Sequence, residues 1–330
     1  MDGRRDGGTL TVAPGKRLSF SSRTGLVVED GGRLDAVGSC AEPILFTGEG
    51  ATRGVWRSVQ LRESAGPSTL SHVIVEDGGS HSHAHASAAA NLAVGAKRFS
   101  MTNSTIRESG DYGVVFEHAA AVDAFTDNHV TANAHAGFGT PLSAGVLDTS
   151  SSYTGNDEDA WIVDDDALDD DVTWAAIDVP YRVIDDTDID VAGHLTIAPG
   201  VTVEFGHRSS LIVEDGALTV VGIDPDTEAS RPITFTGAQK TRGYWRGIQF
   251  YNSNREENRL RNAVVEYGGG DPQFSHASGR GNVVVSGGSR LVIVGSTVHG
   301  SAGYGIFAGS KASVTIAGND FSRNADGPQL

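Results

Sequence analysis

Apolar residues along this chain come in short runs that alternate with polar ones. Val201, Val203 and Phe205 are separated by Thr202 and Glu204, a two-residue period that sets the apolar side chains on one face of an extended strand. Runs rich in Val, Ile, Thr and Phe recur at 10–12, 25–28, 44–47, 55–61 and 71–75, each bounded by Gly, Asp, Asn or Pro. That punctuation predicts strands joined by tight turns. Helical periodicity is nearly absent: only 156–168 has room for a short helix, and its crowded carboxylates oppose one.

The pattern is written twice. Leu10-Thr11-Val12-Ala13-Pro14-Gly15 returns as Leu195-Thr196-Ile197-Ala198-Pro199-Gly200, and Leu26-Val27-Val28-Glu29-Asp30-Gly31 as Leu211-Ile212-Val213-Glu214-Asp215-Gly216. Thr52-Arg53-Gly54-Val55-Trp56-Arg57 returns as Thr241-Arg242-Gly243-Tyr244-Trp245-Arg246, after an insertion at 224–230. Within each copy the strands repeat every roughly twenty residues, the period of a solenoid whose coils bury their inward faces against one another. The fold expected is therefore all-β, a parallel β-helix built from an internal duplication. Copy one with an acidic junction spans 1–172 and copy two spans 173–330, read as one continuous solenoid. Asn91, Asn128 and Asn133 fall opposite Asn282, Asn319 and Asn324, whereas Asn103 falls opposite Gly295. Asparagines stacked in the turns are expected to hydrogen-bond along the axis.

The formal charge of −17 changes the list of partners, because phosphate backbones favour a basic surface; nucleic acid is not expected. No run of apolar residues is long enough to span a bilayer. Cys40 is alone, so no intrachain disulfide forms. The opening residues 1–8 lack the apolar core of a signal peptide. Val179-Pro180-Tyr181-Arg182-Val183-Ile184 precedes the second copy with no counterpart before Leu10, which is the expectation for a segment of a longer solenoid.

The phrases Leu195 to Gly200, Pro232-Ile233-Thr234-Phe235-Thr236-Gly237, Gly243-Tyr244-Trp245-Arg246-Gly247-Ile248 and Val264-Val265-Glu266-Tyr267-Gly268-Gly269 resemble those of secreted or surface right-handed parallel β-helix repeat proteins of the pectin-lyase-like superfamily. The resemblance implies a right-handed coil and an extracellular or cell-surface location. It leaves the activity open, since that superfamily holds lyases, glycosidases, phage spikes and adhesins. For a lyase it implies a basic proton acceptor flanked by calcium-binding carboxylates on one outer sheet.

Three groups of residues are candidates for chemistry. Arg53, Trp56 and Arg57, with Arg242, Trp245 and Arg246, combine an aromatic platform with guanidinium groups, a carbohydrate-binding pattern. Both copies carry the phrase equally, which favours a structural turn, since a catalytic site is needed once. His81, His83 and His85 alternate along the chain as metal ligands would, though only His85 has a matching residue, His276. A solvated loop is the competing reading there. Asp186, Asp188 and Asp190 alternate as hard oxygen donors, making calcium the candidate cofactor, while Val191 and Ile197 break the EF-hand pattern. A solvated acidic junction competes with it. No dinucleotide, P-loop or nucleophile-elbow motif is complete.

Two functional classes remain. The preferred one is a non-enzymatic secreted or surface β-helix, a spacer or adhesin contacting polysaccharide; the other is a polysaccharide lyase or glycoside hydrolase, with no catalytic residue nominated. The sequence leaves the oligomeric state open.

Overall fold

The computed structural model describes residues 7–82, 88–118, 120–271 and 279–329. The chain divides into two compact units, Met1–Trp161 with Ile177–Val179, and Ile162–Ala176 with Pro180–Leu330.

In the first unit, consecutive strands are dealt in turn to three parallel stacks. Thr9–Val12, Arg17–Phe20 and Leu26–Val28 form one circuit, and Arg33–Val37, Ile44–Gly48 and Val59–Leu61 form the next in the same order. Each strand pairs in parallel with its equivalent one circuit on, for example Leu10 with Leu34, Leu18 with Phe46 and Leu26 with Val59. That is the topology of a parallel β-helix. The second unit repeats the three-beat order: Asp188–Val191, His194–Ile197 and Thr202–Phe205 are followed by Ser210–Glu214, Ala217–Val221 and Ile233–Gly237.

The alternation seen in the sequence becomes the core. Ile189, Leu211, Ile248, Val283 and Ile306 register one above another across five coils, and all are buried. Each such side chain contributes roughly 2 kcal/mol of apolar burial, and none is covered without the next coil. The shared Glu-Asp-Gly phrase is a turn. Asp30 and Asp215 adopt φ of 53° and 59°, a left-handed conformation that Asp tolerates better than most residues.

Of the repeated asparagines, Asn128, Asn133, Asn319 and Asn324 stand outside the strands, whereas Asn91 and Asn282 are the second residues of the strands Ala90–Val94 and Gly281–Ser286; their amides reach the neighbouring coils. Asn282 Oδ1 accepts from the Gly268 N–H at 2.8 Å, while its Nδ2 donates to the carbonyls of Val265 and His299 at 2.9 and 2.8 Å. Asn91 makes the matching bonds, accepting from Gly78 N–H and donating to Arg107 O, both at 2.7 Å. The first unit carries a side-chain ladder, with Asn91 Nδ2 3.4 Å from Asn133 Oδ1 and Asn133 Nδ2 3.0 Å from Asn156 Oδ1. The side chains of Asn128 and Asn319 reach backbone, accepting from Ser104 N–H and Ser296 N–H and donating to Met101 O and Ile293 O.

The segment 156–168, whose crowded carboxylates oppose a helix, holds none; Glu158–Val163 and Asp166–Leu168 are strands. Ala160, Trp161, Ile162 and Val163 are all buried in succession, a pattern a strand covered on both faces supplies. A single helical turn instead forms at Pro141–Ala144, where Thr140 Oγ1 accepts from Ser143 N–H and proline occupies the first turn. The 224–230 insertion folds back on itself through an antiparallel bridge between Ile223 and Ser230. Among the described residues no helix is long and apolar enough to cross a membrane.

Candidate functional site

The Arg-Gly-x-Trp-Arg phrase holds neighbouring coils together. Trp56 and Trp245 are fully buried. Each indole stacks on a phenylalanine, Trp56 on Phe20 at 4.3 Å and Trp245 on Phe205 at 4.2 Å. Their Nε1–H groups donate to Glu76 O and Glu266 O at 2.8 and 2.9 Å. Fully buried, stacked on phenylalanine and with the nitrogen satisfied, these indoles offer no exposed platform to a sugar, which corrects that part of the carbohydrate reading.

The arginines around them are occupied differently in the two copies. Arg53 donates to Glu108 at 3.1 Å, Asp157 at 2.6 Å and Ala132 O; the hydrogen bond to Asp157 above all holds its guanidinium charged beyond the ordinary arginine range. Arg242 is exposed. Arg246 lies 3.3 Å from Asp188 Oδ1, whereas Arg57 Nε is buried without a partner.

The three alternating aspartates have different surroundings. Asp186 sits in a left-handed turn (φ 54°) and pairs with Arg208 at 3.4 Å. Asp188 is held by Arg246 and by Ser210 Oγ–H. Asp190 has its carboxyl pushed above the usual range by burial and then by the charges of Asp188, Asp165 and Glu214. Among the described residues, no three His, Cys, Asp or Glu side chains are grouped as metal ligands. His81 is exposed, and His83 and His85 lie outside the described residues.

A cleft of about 700 Å³ in the first unit gathers side chains that the sequence reading passed over. Its floor is a stack of turn residues leaving three successive strands, Val59–Leu61, Ala90–Val94 and Tyr112–Phe116. Gly95 N–H donates to Leu61 O at 2.7 Å and Glu117 N–H to Val94 O at 2.8 Å. Arg62, Gly95 and Glu117 are thereby superposed at the inter-strand spacing of about 4.8 Å. Glu63, Lys97 and His118 complete the charged wall. Gln60 lines the inner end; it is only 2% exposed and its Oε1 is buried without a partner, an unmet acceptor of the kind a bound donor satisfies. Gln249, its counterpart, is also unpartnered, at both Oε1 and Nε2.

The second copy keeps the floor and loses the charges. Tyr251, Asn252, Gly309 and Ser310 stand where the first copy has Arg62, Glu63, Glu117 and His118, and the turn that carries Lys97 reads Ser286-Gly287-Gly288-Ser289. Comparing the two copies position by position is therefore the signal in the sequence that isolates this cleft. No single residue in it marks a motif.

A second group lies at the other end of the same sheet's strands. His135 Nδ1 is 2.9 Å from Glu158 Oε2 and its Nε2 is 3.9 Å from Asp111 Oδ1. Burial pushes the Asp111 carboxyl above its usual range, although the nearby imidazole pulls it down. The Tyr112 ring lies 4.9 Å from His135 and 5.4 Å from Phe138. Gly303 replaces Asp111 in the second copy.

No protein-family model matches the chain, and no curated protein matches it. A solved structure aligned with it is an alginate lyase from Paenibacillus sp. strain FPU-7, at 15% identity over 98% of each chain with a TM-score of 0.21. The architecture of this chain thus rests on its own strand order and register, which are those of a parallel β-helix.

Proposed function

We propose that this chain is a secreted or surface-exposed β-helix module of pectin-lyase-like type that binds polysaccharide through the Gln60–His118 cleft. One observation carries the reading: charged side chains from three successive coils line an open cleft in one copy and are absent from the same positions of the other. Coil packing needs those positions in both copies, so a difference confined to their polar side chains points to a task performed once. A groove crossing stacked strands presents its contacts at a regular spacing, which suits a polymer of repeating units.

The test is affinity electrophoresis through gels containing individual polysaccharides, comparing the native chain with Gly95→Leu. The second copy carries Ser286 at the position of Gly95, so a β-carbon fits the backbone there, while a leucine fills the cleft. Loss of retardation in the folded variant supports the reading; equal retardation of both refutes it.

A hydrolytic reading has its own observation, the Asp111–His135–Glu158 group. A half-buried carboxyl with raised proton affinity beside a second carboxylate is the pairing a glycosidase uses. Release of reducing ends that is abolished by Asp111→Asn would favour it. Binding without release would leave the module non-enzymatic.

A further inference from the structure

We infer that the cleft is built for a neutral, hydroxyl-rich glycan and discriminates against polyanionic ones. The inference rests on the polysaccharide-binding reading and adds the chemical class of the ligand. It follows from a charge account of the wall. Arg62 and Lys97 supply two positive charges, and Glu63 and Glu117 return two negative ones. Both cations are already engaged. Arg62 bonds to Glu29 one coil away, and Lys97 Nζ is 3.1 Å from Glu63 Oε1. Counting Glu29, the neighbourhood sets two basic side chains, Arg62 and Lys97, against three carboxylates. A uronate or sulfate group entering here meets no unclaimed cation, and it must displace a carboxylate to reach one. The whole chain, at −17, repels a polyanion before contact.

The same groups serve a neutral sugar well. Carboxylates accept hydrogen bonds from hydroxyls, and guanidinium and ammonium groups donate to ring and hydroxyl oxygens. Gln60 Oε1 is a buried, unpartnered acceptor shared with Gln249 of the second copy, so it marks the duplicated floor, and the selectivity rests on the charges of the wall. Gly95 contributes no side chain to the floor, and its Cβ position would lie 3.3 Å from Glu63 N, so the bare backbone is what lets a pyranose approach Gln60.

The test uses the full chain in affinity electrophoresis and calorimetry with two neutral probes, dextran and galactomannan, and two polyanionic ones, polygalacturonate and alginate, each at low and high salt. The expected result is binding of a neutral probe with little change on adding salt, since no counterions are released, and no binding of the polyanions. The neutral-probe affinity should fall about tenfold or more in Gly95→Leu, the order expected for blocking a shaped pocket, and survive in Gly95→Ser. The double variant Glu63→Gln/Glu117→Gln, made at an exposed and a half-buried position, releases Lys97 from its ion pair and removes two negative charges from the wall, and should gain polyuronate binding that salt abolishes. Salt-sensitive binding of polygalacturonate or alginate by the native chain, with neither neutral probe bound, overturns the neutral class and leaves the glycan reading standing. Binding of none of the four at low salt overturns both.

Discussion

Replacing Asn282 by alanine tests the claim that the buried repeated asparagines fasten the coils of the second unit. The side chain is fully buried, and it satisfies three backbone groups: the Gly268 N–H and the carbonyls of Val265 and His299. Alanine removes all three partners without removing apolar surface. A buried group left unsatisfied costs about 1–3 kcal/mol, and a water entering the vacated space recovers part of that. Taking the low end for each bond, the loss is about 3 kcal/mol, a large fraction of the stability of a typical domain. Asn282→Asp is expected to be at least as damaging, because its second oxygen faces two carbonyls where the amide had donated. Asn254, exposed in the next turn region, provides the control, with an expected change within about 0.5 kcal/mol on conversion to alanine. The assay is urea unfolding followed by far-ultraviolet circular dichroism and tryptophan fluorescence, with hydrogen exchange read at the Gly268 amide. If Asn282→Ala unfolds within 0.5 kcal/mol of the native chain and Gly268 stays protected, the buried repeated asparagines do not hold the coils and the reasoning fails.

Trp56→Ala and Trp245→Ala should each cost about 4 kcal/mol, measured by the same unfolding curves, from loss of a fully buried indole and its stacking partner. Trp245→Phe should fold and bind glycan as the native chain does; weakened binding with unchanged stability would return the indole to the ligand. Asp190 has a raised carboxyl pKa, so its favourable contribution exists at low pH and is lost as pH rises through the folded-state value. Asp190→Asn is accordingly expected to melt on the order of 1 °C higher than the native chain at neutral pH, and the difference should close on acidification; an advantage that grows in acid would contradict the assignment. Asp111→Asn should show the same sign by the same melting measurement, since burial raises that carboxyl too.

The architecture was legible in the sequence because it depends on local periodicity repeated many times. Alternating Val201, Val203 and Phe205 declared an inward face, and the six-residue phrases shared by both copies declared which coils are equivalent. Local composition misled where tertiary burial overrode it. The carboxylates around 156–168 concealed the buried run Ala160 to Val163, and a solvent-facing acidic segment and an edge of a buried strand look alike in composition. Trp56 and Arg57 drew attention as sugar contacts because adjacency in sequence says nothing of which ring faces are already packed. The cleft was hidden for another reason. Gln60, Lys97 and His118 are far apart in the chain, and only the stacking of turns brings them to one wall.

Gly95 and its counterpart Ser286 have a consequence for valency. The turn after Leu61 is one residue shorter than that after Phe250, so exchanging the residues that distinguish the copies would include trimming that turn. Carrying Arg62, Glu63, Glu117 and His118 across to Tyr251, Asn252, Gly309 and Ser310, with Ser286→Gly, would write a second recognition groove into the same polypeptide. Against a ligand made of identical repeating units, a chain with two grooves engages by avidity, and its residence on the polymer lengthens far more than either groove's own affinity would suggest. Under the proposed reading, the natural chain would be a monovalent reader assembled from a duplicated frame.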